Sequence, residues 1–329
     1  MSLQSYLNSV WYGDRGGHWL RPLAGLYGWV VKRRLRAFRT GQRAVYRAPV
    51  PVIVIGNHTV GGTGKTPLVI EIVERLKRRG HQPAVISRGY GSTITADAAR
   101  TVDATSRAAD VGDEPLLIFT RTRVPVAVCP NRRYACEAVL AAGATVIVAD
   151  DGLQHLALAR DVEIDVVDAV RGFGNGRCLP AGPLRVPPEA LWSTGLQIAN
   201  GGCDGHAMSL EGQHARRLVD GELVPMTEFD GQRVHAVAGI GHPDRFFCAL
   251  RDHGLEVIEH PLDDHADVSP SQIEFGDDLP VLMTEKDAVK LPAALCERYY
   301  SVPVNARLSA SASAAVDALL DGLSDNTRL

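Results

Sequence analysis

The chain of 329 residues is missing the marks of several protein classes. Its six cysteines, at positions 129, 136, 178, 203, 248 and 296, form no Cys-x-x-Cys pair, which speaks against a zinc ribbon or disulfide framework and fits a reducing compartment. No uninterrupted apolar run reaches about 18 residues, so no membrane-spanning helix is expected. The first apolar stretch comes late and lacks a small-residue cleavage site, so no secretory signal is expected either. There is no internal repeat and no low-complexity tract. With 45% hydrophobic and 22% charged residues, the usage is that of a globular protein rather than a disordered, collagen-like or fibrous one. The length suits two modest domains or one large α/β unit.

The net charge of -3 hides an asymmetry. Residues 1–50 carry nine Lys/Arg against the single acid Asp14, an excess of eight positive charges, and the remainder carries eleven more acids than bases. A basic head on an acidic body points to an anionic surface, nucleic acid or the cytoplasmic leaflet of a membrane. Within residues 19–43, helical periodicity puts Leu20, Leu23, Ala24, Tyr27, Val30, Val31, Leu35 and Phe38 on one arc and Lys32, Arg36, Arg39 and Arg43 opposite. Pro22, Gly25 and Gly28 weaken the first half, and Trp29 and Arg34 fall off their faces. Trp11, Trp19 and Trp29 also lie in this head, and indole rings favour the membrane–water interface. The expectation is an amphipathic segment over residues 1–48 lying on a bilayer, the alternative being a helix packed on the protein's own body. A nucleic-acid partner explains the charge but not the tryptophans or the apolar face, and no protein partner is inferred.

From residue 49 apolar strands alternate with amphipathic helices: Val52–Ile55, Ala84–Ser87, Val124–Val128, Thr145–Ala149 and Ile164–Asp168. This rhythm predicts an α/β fold with a doubly wound parallel sheet over 49–195. Polar, glycine-rich sequence over 196–233 reads as a connector of β-ribbon character. A smaller α/β set over 234–329 has strands near Val234–Ile240, Glu256–His260, Val281–Thr284 and Tyr300–Val304.

The strongest local signal is residues 51–66, PVIVIGNHTVGGTGKT, a buried strand passing through a glycine-rich turn into a helix. Backbone N–H groups of Thr59, Val60, Gly61, Gly62, Thr63 and Gly64 can converge on phosphate oxygens. Lys65 meets the β/γ charge of ATP and Thr66 offers a hydroxyl to Mg²⁺. Thr59 stands where the strict phosphate-loop pattern has its first glycine. The GGxGKT form resembles the deviant loops of partitioning and metal-insertion ATPases, with Val60 in place of their extra lysine. Asp150 and Asp151 end the apolar run 144–149, the position from which a carboxylate reaches the metal, although a strand-end Asp can also serve as a turn former or cap. Asp113 and Glu114 precede Pro115. This pair either caps a helix or supplies the carboxylate that accepts the acceptor hydroxyl's proton, and the residues alone leave both open.

Taken in order, Val60–Pro67, Ser87–Gly91, Gly112–Pro115, Asp150–His155, Arg171–Arg185, Asp264-His265 and Thr284–Asp287 resemble the tetraacyldisaccharide 4'-kinases of lipid A biosynthesis. The resemblance implies a P-loop NTPase-like fold. It implies ATP-Mg²⁺-dependent phosphorylation of the 4'-hydroxyl of a lipid-linked disaccharide 1-phosphate, by a peripheral enzyme at the cytoplasmic face of the bacterial inner membrane. By motif it makes Asp113 the base, His265 its partner and Asp150 and Asp151 the metal-site acids, with Glu114 and Thr66 beside them. Arg171, Arg177, Arg185 and His155 are candidates for substrate phosphate. The competing expectation is a membrane-associated ATPase switch; Thr284–Asp287 does not supply the Asn-Lys-x-Asp arrangement that reads guanine.

Overall fold

The computed structural model describes residues 3–13, 16–90, 94–193, 195–202, 204–263, 266, 268–291 and 296–323. Two helices form the head, α1 (Leu3–Trp11) and α2 (Arg21–Arg39). The body begins with β1 (Val52–Gly56), α3 (Lys65–Arg78), β2 (Pro83–Ser87), β3 (Arg100–Val102), α4 (Ala108–Val111), α5 (Asp113–Thr122), β4 (Val126–Val128), α6 (Arg132–Ala141), β5 (Val146–Asp150) and β6 (Val162–Asp168). It continues through β7 (Leu196–Asn200), β8 (Ala207–Glu211), β9 (His214–Arg217), β10 (Leu223–Pro225), β11 (Arg233–Ala238), α7 (Pro243–Asp252) and β12 (Glu256–Pro261). It ends with β13 (Val281–Thr284), α8 (Glu285–Ala288), β14 (Tyr299–Val302), β15 (Asn305–Leu308) and α9 (Ala310–Asp321).

The larger sheet has nine strands in the order β15-β8-β7-β6-β1-β5-β2-β4-β3, parallel apart from the antiparallel edge pairs β3–β4 and β8–β15. β1, buried along its whole length, lies between β5 and β6, as an uninterrupted Val/Ile run requires when helices cover both faces. Leu68, Val69, Ile72, Val73 and Leu76 of α3 pack on one face with Ile53 and Ile55. The smaller sheet, β10-β9-β14-β13-β11-β12, has a parallel core.

The sheets divide the chain differently from the boundaries read in the sequence. β7 and β8 extend the large sheet, so the ribbon proper is only β9–β10, and the chain returns to the large sheet at β15 and α9. The strand β3, absent from the strands expected from the sequence, is short and pairs only at the sheet's edge, so it has little apolar periodicity to betray it.

α2 departs from a single apolar arc. Leu20, Ala24, Tyr27, Gly28, Val31 and Leu35 face the body, against Ala181, Cys178, Leu184, Val186 and Leu191. Leu23 and Val30 face outward instead, where they join Trp19, Leu26 and Trp29, each more than half exposed. The helix thus has two apolar sides, one packed and one bare, and a one-face projection merges them. Among the described residues no helix is long and apolar enough to cross a membrane.

Candidate active site at the phosphate loop

Between β1 and α3 the backbone takes conformations open to glycine. Gly61 has φ +111° and Gly64, the N-cap of α3, has φ +89°; a Cβ on Gly64 would lie 2.5 Å from the Asn200 side chain. Lys65, the first residue of α3, is buried with its Nζ 3.1 Å from Asn57 Oδ1 and 3.6 Å from Asp151 Oδ1. Asn57 itself receives a bond from Gln154 Nε2 to its carbonyl at 2.8 Å. Asn200 Nδ2 donates to the Thr63 carbonyl at 2.9 Å, and Thr63 Oγ1 is buried without a partner among the described residues. On the other side Thr59 bridges to Leu184 and the Val60 N–H donates to the Pro183 carbonyl, so the glycine- and proline-rich segment around 177–187 backs the loop. Thr66 lies half-buried in the first turn of α3.

The register Ile55↔Asp150 brings the acid doublet to the foot of this loop. Asp150 is fully buried, and burial, reinforced by Glu114 and Asp151, raises its carboxyl to about 7. Its Oδ2 receives the Ser87 hydroxyl at 3.4 Å, whereas Oδ1 has no hydrogen-bond partner among the described residues. Asp151 takes a left-handed φ of +48°. Burial alone would raise it, but Lys65 and the Arg185 guanidinium, whose Nη1 donates to both carboxylate oxygens at 2.9 Å, hold it down at about 2. Arg132 is buried beneath the pair and donates from Nη2 to the Asp150 carbonyl at 3.0 Å; burial pushes its guanidinium down to about 10 against the pull of Asp150 and Asp151. An orphaned buried carboxylate oxygen, with Ser87, Glu114 and Asp151 nearby, is a donor set suited to a hard cation such as Mg²⁺. Among the described residues no three His, Cys, Asp or Glu converge on a self-contained metal site, and Mg²⁺ characteristically relies on few carboxylates plus substrate phosphate oxygens and water.

Asp113 opens α5 after Gly112, which is the helix's N-cap with φ +94°. Its side chain is 6% exposed and Oδ1 accepts the Glu114 N–H at 2.8 Å. The smaller sheet delivers cations to it. Lys286 Nζ stands 3.9 Å from Asp113 Oδ2 and 3.4 Å from Glu114 Oε1, and Lys290 Nζ is 3.8 Å from Asp113 Oδ2. Lys286 sits on α8, which Asp287 anchors by accepting the Gly239 N–H at 2.8 Å and the Thr284 hydroxyl at 2.6 Å. His265, expected beside Asp113, and its neighbour Asp264 lie outside the described residues.

The three arginines expected at substrate phosphate separate. Arg185 pairs with Asp151. Arg171 donates to the Gly241 carbonyl at 3.0 Å and stacks over Tyr12. Arg177 is exposed and does not line the cavity. His155 does line it, and burial, with Arg132, Arg160, Arg34 and Arg88 around it, lowers its imidazole to about 4, so it is neutral near pH 7. The cavity holds about 650 Å³ and runs from Gly61, Gly62 and Lys65 to Tyr27 and Arg34 on α2. Its lining carries six cations against two carboxylates, which selects a strongly anionic ligand. Behind the loop the second lobe closes a ring: Arg245 Nη2 donates to the Asn200 carbonyl at 3.0 Å and to Asp168 Oδ1 at 3.3 Å, and Gly241 abuts Gly62.

The profile of one family, the tetraacyldisaccharide-1-P 4'-kinases (LpxK), matches residues 17–322. The chain belongs to this family. A tetraacyldisaccharide 4'-kinase of Stenotrophomonas maltophilia (strain R551-3) is 48% identical to it, with 96% of this chain and 97% of that one covered. The one of Pseudomonas aeruginosa (strain LESB58) is 44% identical, covering 98% and 99%. Among solved structures, the LpxK of Aquifex aeolicus, described as in complex with ATP, superposes with a TM-score of 0.76 at 25% identity, over 92% of this chain and 98% of that one. As a member of the 4'-kinase family the chain is a kinase that transfers phosphate to a hydroxyl group, and the ATPase-switch alternative falls.

Sequence reasoning did not assign Asn57, Arg132, Asn200, Lys286 or Lys290 to the site. Lys286 lay within a quoted motif, Thr284–Asp287, so a signal existed without a role. Asn200 and Arg132 carry no local mark, since only the strand order brings them to the loop.

Proposed function

We propose that this 4'-kinase transfers the γ-phosphate of ATP, with Mg²⁺, to the 4'-hydroxyl of a tetraacyldisaccharide 1-phosphate while docked on the cytoplasmic face of the inner membrane. One observation carries the reading: a single cationic cavity connects the phosphate loop to the helix whose outer side is bare and apolar. That geometry suits an acceptor whose sugar reaches the nucleotide while its acyl chains stay in the bilayer.

In this reading residues 59–66 cradle the triphosphate through backbone N–H groups, and Lys65 meets the β/γ oxygens. Asp150, Asp151, Glu114 and Thr66 would hold Mg²⁺, which when bound neutralises charge on the phosphates. Asp113 accepts the proton of the 4'-hydroxyl as that oxygen bonds to the γ-phosphorus. The bond to the β–γ bridging oxygen breaks, and ADP leaves with its electron pair. Lys286 and Lys290 pair with the Asp113 carboxyl group and steady it beside the transferring group. His265 belongs with Asp113 by motif. Arg185 orients Asp151 and can turn toward the phosphoryl group.

Incubation of the purified chain with γ-labelled ATP, Mg²⁺ and the disaccharide lipid tests the reading. Label must appear on the acceptor and depend on its 4'-hydroxyl. ATP turnover without acceptor label would overturn it.

A further inference from the structure

The acceptor named by the family carries a phosphate of its own, and the arginines expected to meet it are engaged: Arg171 with Gly241 and Tyr12, Arg185 with Asp151, and Arg177 away from the cavity. Of the six cations that line the cavity, Lys65 bonds to Asn57, Arg132 to the Asp150 carbonyl, Arg185 to Asp151 and Lys286 to Glu114. Arg34 and Arg88 remain, and neither has a hydrogen-bond or ion-pair partner among the described residues. Arg88 follows Ser87, whose hydroxyl meets Asp150, and so stands at the metal end. Arg34 stands on α2; like Arg88 it acts on His155, and it alone of the two also acts on Tyr27 of the same helix. The same helix carries the bare apolar side of Leu23, Leu26, Trp29 and Val30, with Trp19 in the turn just before it. Its neighbour Arg33 turns away from the cavity and lies over the Trp29 ring at 5.7 Å.

We propose that Arg34 binds the 1-phosphate of the acceptor and makes the enzyme selective for a phosphorylated disaccharide. The inference rests on the kinase reading above. An acceptor with acyl chains along the bare side of α2 has its head group on the α2 side of the cavity, where Arg34 is the cation without a hydrogen-bond or ion-pair partner among the described residues. A phosphate monoester carries close to two negative charges near neutral pH, and a guanidinium offers it two parallel donors in a fixed plane. Neutral His155 adds an uncharged hydrogen-bonding group on the same wall.

The test compares wild type, Arg34→Gln, Arg34→Lys and Arg33→Gln in neutral-detergent micelles at saturating ATP. Each receives the acceptor with its 1-phosphate and the same acceptor without it. Arg34→Gln is expected to raise KM for the phosphorylated acceptor about ten- to hundred-fold, with Arg34→Lys partly restoring it and Arg33→Gln resembling wild type. Without the 1-phosphate, wild type and Arg34→Gln should fall to similar efficiencies, because the interaction is already gone. Equal losses on both acceptors would overturn the proposal, as would a rise in KM for ATP alone. Losses shared by Arg33→Gln and Arg34→Gln, and seen only when anionic phospholipid is added, would make Arg34 a lipid head-group contact and overturn it too. If wild type labels neither acceptor, the kinase reading itself has failed.

Discussion

Asp113 shows what one residue gains from its surroundings. An acid one place before Glu114-Pro115 reads equally as a helix-end residue, and the structure gives it both features: it opens α5, and it is buried with two lysines of the other lobe within 4 Å. Asp113→Ala is expected to lower kcat about 10²- to 10⁴-fold with little change in KM for ATP, as loss of a base does. Steady-state kinetics with ATP varied at saturating acceptor check this; a dominant rise in KM would move Asp113 to nucleotide binding. His155 gives a pH signature. Its folded-state imidazole titrates at about 4, against an ordinary 6.5, because burial and the surrounding arginines disfavour the cation. The unfolded chain therefore binds the extra proton between pH 6.5 and 4. Stability is intact above that window and falls as pH drops through it, by about 1–2 kcal/mol after allowance for partial exposure. Thermal melts at pH 7.5 and 5.0 should show a larger acid-side loss for wild type than for His155→Gln, and parallel losses would refute the assignment.

At the scale of elements, α2 was legible as a helix with basic and apolar sides, but not as a helix with two apolar sides. The partition between them is set by what the segment around 177–191 happens to cover. Replacing Trp19, Leu23, Leu26 and Trp29 with Ser should weaken binding to anionic vesicles at every salt concentration, each burying side chain being worth about 1.5–3 kcal/mol at most. Replacing Lys32, Arg36, Arg39 and Arg43 with Gln should weaken it at low salt and little at high salt, since exposed charge is screened over about 8 Å at physiological ionic strength. Lys32 already faces Glu189 at 2.5 Å, so the three arginines should carry most of that effect. Vesicle co-sedimentation across a salt series separates the two contributions. Binding unchanged in both sets would leave α2 as a helix that serves only the protein's own packing.

Across the whole molecule the two lobes meet at the phosphate loop. A Cβ on Gly241 would lie 2.5 Å from the Gly62 nitrogen, a backbone atom that cannot swing aside. Gly241→Ala should therefore push the second lobe off the loop at a cost of about 1–3 kcal/mol. The measurable result is a KM for ATP raised about ten-fold, and an unchanged KM would show that the contact does not shape the nucleotide site. Arg245→Ala should act in the same direction through Asn200 and the Thr63 carbonyl. By itself the sequence determined the parallel α/β core, the glycine-rich turn from β1 into α3 and the acids at the end of β5, because alternation, glycine spacing and Lys-Thr at a helix start are properties of neighbouring residues. Only the tertiary structure decided that Lys286 reaches Glu114 across 172 positions, that β7, β8 and β15 belong to the large sheet, and that among the described residues Arg34 has no hydrogen-bond or ion-pair partner while Arg171 and Arg185 are engaged. Those outcomes depend on strand order and on which surfaces are buried against each other, and no local pattern in the chain encodes either.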